Sequence, residues 1–228
     1  MSEVGRLIAS GRDADIFAMG DDRVLRRSRN QRSMVQEART MEFVRSHGLR
    51  VPQVFDVSDD GFDLIMERID GPTMLEVAGN QPWRISALGR QLGTLHSTLH
   101  ALAAPQWLEP APFGMGESII HLDLHPLNVL MSGDGPVLID WTNAARGNPV
   151  ADVALTWALI VAGEVPSNGI QARLMGIGRR ILLRSFLKPF PATELRAMLA
   201  DAVEYKCADA NMSASEVRSM RALLLSET

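Results

Sequence analysis

The chain has 228 residues and a formal net charge of −4. With 46% hydrophobic and 22% charged residues and no low-complexity tract, its composition is that of a folded globular protein. No long cationic block supplies the phosphate-neutralising surface that nucleic-acid binding needs, so nucleic acid is not an expected partner. The longest apolar stretch, Val153 to Ala162, is interrupted by Thr156 and has about half the length a membrane span requires, which predicts a buried helix and no membrane partner. The lone Cys207 and the absence of a charged-then-apolar leader in MSEVGRLIAS predict a cytoplasmic protein.

In chain order, the first third alternates short β-like runs with turns: Leu7–Ile8, Ile16–Met19, a Gly20-Asp21-Asp22 turn and Val24–Leu25. Ser33 and Gln36 fit a capping box, and Met34, Ala38, Met41 and Val44 recur at helical spacing until Gly48, predicting a helix over about residues 33–47. Two more β-like runs, Val54–Val57 and Phe62–Met66, are joined by Asp59-Asp60-Gly61. Beyond Gly71-Pro72 the pattern turns helical. Ile85, Leu88, Leu92, Leu95, Leu99 and Leu102 form one stripe of a long helix. Two short β-like runs, Val129–Met131 and Val137–Ile139, flank Ser132-Gly133-Asp134-Gly135, and from Ala151 the rest reads as helices.

Polar groups concentrate in Ile119-Ile120-His121-Leu122-Asp123-Leu124-His125-Pro126-Leu127-Asn128-Val129-Leu130, with Ile139-Asp140-Trp141 further on. Carboxylates and imidazoles set among apolar runs are costly unless paired or bound to metal. Phosphoryl transfer needs a carboxylate to accept the proton of the attacking hydroxyl and oxygen ligands to hold Mg²⁺ on the phosphates. Asp123 suits the first task, Asn128 and Asp140 the second, and loop and strand end are expected to converge on one cleft. The competing readings are a transition-metal site on His121, Asp123 and His125, which alternate along an extended segment, and a purely structural role.

The segments HLDLHPLNVL and VLIDWTNAARGNPVADVA resemble the H-G-D-x-H-x-x-N and I-D-W/F signatures of the aminoglycoside phosphotransferase and choline kinase family. The resemblance extends from about residue 5 to about residue 160. It implies an α+β, bilobal protein-kinase-like fold, with a small β-rich N-lobe carrying one helix (1–70) and a larger, mainly helical C-lobe (71–228). It also implies ATP (or GTP) and Mg²⁺ as cofactors, Asp123 as catalytic base, Asn128 and Asp140 as metal ligands, and Asp152 bracing the catalytic loop. The expected activity is transfer of the γ-phosphoryl group of ATP to a small-molecule hydroxyl on an aminoglycoside-like, amino-alcohol or sugar acceptor. The alternative is a non-catalytic, pseudokinase-type nucleotide-binding module.

Glu37 shares the inward stripe of the 33–47 helix, and a buried carboxylate there needs a cation. In kinases a strand lysine fills that role, but this chain has only Lys188 and Lys206. Val24-Leu25-Arg26 takes the place of the family's V-x-K, which makes Arg26 the candidate phosphate and carboxylate partner; the alternative has Arg26 and Arg27 as ordinary solvated strand charges and Glu37 as a helix surface residue. Leu64 to Gly71 resembles the family's hinge, in which the backbone of Glu67 and Ile69 would meet the adenine edge. His96 and His100, one turn apart, are expected to pack or hydrogen-bond rather than ligate metal. Gly176-Ile177-Gly178 lies in a helical stretch and is not read as a nucleotide loop.

Overall fold

A computed structural model of the chain describes residues 4–163 and 169–227. They divide into two compact units, one comprising the chain up to Pro72 together with Leu130–Ala144, the other Thr73–Val129 together with the chain from Ala145 onward.

The first unit is built on an antiparallel five-stranded sheet: β1 (Leu7–Ser10), β2 (Ala14–Met19), β3 (Arg23–Ser28), β4 (Val54–Val57) and β5 (Asp63–Glu67), in the spatial order β1-β2-β3-β5-β4. Leu25 of β3 stands opposite Phe17 of β2 and Ile65 of β5. Gly20 takes φ +68° and Gly61 φ +76°, the left-handed conformations that let the chain turn tightly between strands. Helix α1 (Val35–Ser46) turns Ala38, Met41 and Val44 into the core, and Glu37 is buried with them. The capping box expected from Ser33 and Gln36 is not made. The N-cap is Met34, with no side-chain cap bond, and its N–H donates to the Gly61 carbonyl at 2.8 Å. A hairpin of β7 (Val129–Ser132) and β8 (Gly135–Leu138) joins this unit through Met131 N–H to Pro72 O (2.8 Å) and Leu138 N–H to Arg50 O (3.0 Å).

The second unit is mainly helical. Helix α2 (Met74–Asn80), unforeseen from periodicity, starts with a true capping box: Glu76 N–H donates to Thr73 Oγ1 (3.1 Å), and Thr73 N–H donates to Glu76 Oε2 (2.7 Å). Helix α3 (Ile85–His100) follows, burying Leu88, Leu92 and Leu99 of the predicted stripe. Strands β6 (Ser118–Ile120) and β9 (Ala145–Gly147), three residues each, pair antiparallel. Helix α4 (Pro149–Ala162) is capped by Asn148, whose side chain accepts from Val150 N–H, and is nearly all buried. Helices α5 (Ile170–Leu187), α6 (Ala192–Cys207) and α7 (Ala214–Glu227) complete the unit, α5 against α3 and both α6 and α7 against α4. Gly176 and Gly178 lie inside α5, as expected. Among the described residues no helix is long and apolar enough to cross a membrane.

The close approach of α3 and α5 depends on a missing side chain. A Cβ on Gly89 would sit 2.5 Å from the Leu182 carbonyl oxygen and 2.8 Å from Ser185 Cβ, whereas one on Gly79 of α2 would meet nothing within 4 Å. Gly89→Ala is therefore expected to lower stability by about 1–3 kcal/mol through overpacking. Gly79→Ala is expected to raise it by up to about 1 kcal/mol through helix propensity. Urea denaturation of the two variants measures both signs.

Candidate active site

In the second unit, the segment leaving β6 makes a sharp turn in which Leu122 takes φ +59°, a left-handed conformation expensive for a bulky residue. Leu122 stands where the resembled motif carries glycine. The turn is fixed by Asp152, in the first turn of α4: its Oδ2 accepts from His121 N–H (3.0 Å) and its Oδ1 from Leu122 N–H (2.8 Å). His100 Nε2 lies 2.9 Å from the same carboxylate. Burial would raise the Asp152 carboxyl, but the His100 bond, the neighbouring imidazoles and the backbone donor hold it far below the usual carboxylate range.

This bracing sets the next residues. His125 N–H donates to Asp123 O (3.0 Å), Asn128 N–H to His125 O (2.8 Å), and a single 3-10 turn, Pro126–Asn128, brings the Asn128 amide back. Asn128 Nδ2 donates to the Asp123 carbonyl (2.9 Å) and to Asp123 Oδ2 (3.0 Å), so its Oδ1, the atom suited to a cation, lies outside both bonds. His125 Nε2 is 3.7 Å from Asp123 Oδ2, and Lys206 Nζ on α6 is 3.5 Å from Asp123 Oδ1. Burial would raise the Asp123 carboxyl, but His125 and then Lys206 outweigh it and bring it down to about 2. Asp123 is thus an ionised, largely buried carboxylate at neutral pH.

In the first unit, Arg26 on β3 reaches Glu37 on α1 with Nη1, and with Nη2 reaches Asp140 Oδ1 (2.9 Å) and Thr142 Oγ1 (3.0 Å). Thr142 Oγ1 bonds both Glu37 Oε2 (3.1 Å) and Asp140 Oδ1 (2.8 Å), and Trp141 N–H donates to Glu37 Oε1 at 3.2 Å. Glu37 therefore has a full set of partners. Burial pushes its carboxyl up, opposed by Arg26. Burial would lower the Arg26 guanidinium, but Glu37 and then Asp140 hold it above its ordinary value. Asp140 itself takes φ +62° two residues after β8, a left-handed backbone conformation that is uncommon outside glycine. Arg26, Asp13, Arg32 and Thr142 are among the residues lining a cavity of about 110 Å³.

Glu67 closes β5. Its carboxylate accepts from Gln53 N–H (3.0 Å) and lies 3.7 Å from Arg45, and it shares with Ile69 a cavity of about 420 Å³ that is also lined by Arg45, Gly48, Leu49, Arg50 and Val51.

The structure thus groups Arg26, Glu37 and Asp140, and separately groups Asp123 with Asn128. It does not make a metal cluster of His121, Asp123 and His125. Among the described residues, the ligand atoms of His96, His100 and Asp152 are those that gather within 4.8 Å of one another. Asp152 there is committed to the loop, while His96 Nε2 meets the Leu124 carbonyl (3.1 Å), so the histidines serve hydrogen bonding and packing. Sequence reasoning missed two members: Thr142, two residues past Asp140, and Lys206, whose only signal was its rarity.

Two measurements probe this chemistry. Arg26→Met strands a buried carboxylate and is expected to cost about 3–5 kcal/mol, most of it recovered when Glu37→Met is added, as read by urea denaturation of the single and double variants. His96, fully buried, is pushed down to about 3 by burial, while an unfolded histidine titrates near ~6.5. The unfolded chain therefore binds a proton the folded one refuses, and stability falls as pH drops from about 6.5 toward 3, with Asp152 adding to the loss below ~4. His96→Gln is expected to flatten the slope of stability against pH in the upper part of that window.

The chain matches the family model described as the phosphotransferase enzyme family over residues 4–116 and 103–179. A curated relative, a probable bifunctional tRNA threonylcarbamoyladenosine biosynthesis protein of Methanothermobacter thermautotrophicus, is 29% identical over 134 residues, which are 59% of this chain and 21% of that protein. Among solved structures, the aminoglycoside phosphotransferase APH(4)-Ia superposes with a TM-score of 0.68 at 15% identity, covering 99% of this chain and 93% of that one. A choline/ethanolamine kinase family protein from Mesorhizobium loti gives 0.63 at 15% identity, with 99% and 87% covered. The fold is the protein-kinase-like α+β fold of these structures, and with three quarters of its length inside the matched range the chain belongs to the phosphotransferase enzyme family.

Proposed function

We propose that the protein is a cytoplasmic, ATP-dependent kinase that transfers the γ-phosphoryl group to a hydroxyl of a small molecule: an aminoglycoside-like compound, an amino alcohol or a sugar. The observation that carries this reading is the state of Asp123, a carboxylate kept ionised in a largely buried loop and oriented by Asn128. A base of that kind takes the proton of the acceptor hydroxyl as the hydroxyl oxygen forms its bond to phosphorus. The bond from phosphorus to the bridging oxygen of the nucleotide breaks, and the nucleoside diphosphate leaves with the electron pair.

Asn128 and Asp140 would hold Mg²⁺. The donor set fits, since both offer oxygen, which a hard cation prefers, and Asn128 turns its amide nitrogen toward Asp123. When bound, the ion would neutralise phosphate charge. Arg26, anchored on Glu37, would direct its second nitrogen to phosphate oxygens as well as to Asp140, and the backbone of Glu67 and Ile69 would meet the adenine.

The second reading, a non-catalytic nucleotide-binding module, is favoured by one feature: Arg26 in place of a lysine, already engaged with Asp140 and Thr142. Mg²⁺-dependent ATP consumption over a panel of amines, sugars and antibiotics separates the two. The kinase reading expects turnover that Asp123→Asn lowers by about 10² to 10⁴ while nucleotide affinity is kept. A wild-type protein that binds Mg²⁺·ATP yet turns over no acceptor supports the binding module instead.

A further inference from the structure

Asp123 is approached by a cation that the catalytic-loop signature does not contain. Lys206, in the last turn of α6, lies 3.5 Å from Asp123 Oδ1 and 3.1 Å from Asp209 Oδ2, with only 11% of its side chain exposed. Burying an ammonium is costly, and a lysine with no functional demand on it would extend its tip to water. Here the tip is turned inward between two carboxylates. Asp209 is itself fixed, its Oδ1 accepting from Asn211 N–H at 2.9 Å, and its backbone N–H donating to Lys206 O at 3.1 Å.

The two contacts of Lys206 are unequal. The shorter one anchors the lysine on Asp209, and the longer one, at the outer limit of a hydrogen bond, orients Asp123 without saturating it. Asp123 Oδ2 is taken by Asn128 Nδ2 at 3.0 Å, with His125 Nε2 3.7 Å from the same oxygen, so Oδ1 is the oxygen left to receive a proton, and Lys206 is the cation placed against it. Held at one oxygen alone, a carboxylate rotates about its terminal torsion, which is soft. Held at both, it keeps one plane.

The geometry points to Lys206 as a positioning residue for phosphoryl transfer, anchored by Asp209 and fixing the plane of the Asp123 carboxylate from a helix outside the catalytic loop. The inference rests on the kinase reading above. It also assigns Asp209 to the support of the base rather than to attracting a cationic acceptor, a use that Asp201 and Glu204, both exposed on α6, remain free to serve.

The test uses the full chain, an acceptor that the wild type turns over, and three readouts: kcat, the affinity for Mg²⁺·ATP by equilibrium titration, and thermal melting. Lys206→Met is expected to lower kcat by about 10²-fold through misorientation of the base, with nucleotide affinity unchanged. Lys206→Arg is expected to restore a large part of the loss, and Asp209→Asn to give a smaller fall in the same direction. A folded Lys206→Met protein with wild-type kcat overturns the inference, as does a loss that Lys206→Arg fails to rescue. Where Lys206→Met does not fold, Asp209→Asn decides: reduced kcat at wild-type affinity and melting supports the role, and wild-type kcat overturns it. A wild type silent toward every acceptor instead overturns the kinase reading on which the role rests.

Discussion

The turn that leads into the loop bearing Asp123 and Asn128 is held by a single buried acid. Asp152 sits in the first turn of α4, where the Asn148 cap and Pro149 start the helix and the positive end of its dipole favours an anion. Its two oxygens take the backbone N–H groups of His121 and Leu122. A charge without surface would ordinarily be a liability. Here two of its donors are main-chain groups, which only a proline substitution removes, and the third, His100, comes from α3. One carboxylate therefore ties a helix start, a neighbouring helix and the turn before Asp123 into one rigid piece.

In the β-rich unit a second buried acid, Glu37, plays a comparable part. It collects Arg26, Thr142 and the Trp141 N–H, so that the stretch around Asp140 is set by the position of α1. An arginine changes what such a network can do. A lysine is a compact point charge, whereas the planar guanidinium spans Glu37 on one nitrogen and Asp140 with Thr142 on the other. The substitution thus places the cation's second contact on a carboxylate rather than leaving it unengaged.

Local pattern made most of the fold legible. Helices α1 and α3 follow the 3.6-residue spacing that burial of one face enforces, α4 reads as an apolar run because it is nearly all buried, and the strands of the first unit read as short β-like runs between turn residues. The failures have local causes. Ser33 and Gln36 carry the right letters for a cap, but Met34 N–H is satisfied by Gly61 O and the helix begins one residue late. Thr73 and Glu76 make the box that was overlooked, because the seven residues of α2 are too few to show a stripe. Strands β6 and β9, at three residues each, are shorter than any alternation that could be recognised. Among the candidate site residues, Asp123, Asn128 and Asp140 stand out in the sequence because polar groups among apolar runs demand a reason. Thr142 and Lys206 do not, since what distinguishes them is a tertiary neighbour, and Lys206 lies 83 residues from the acid it faces.

Leu122 carries a consequence of its own. Glycine at that turn would leave the loop many more backbone states to explore. A leucine at φ +59°, its side chain sealed in the core at 1% exposure, has no such latitude. The entropy of ordering this segment is surrendered once, when the chain folds, so that on the proposed kinase reading a substrate would meet a loop already in shape.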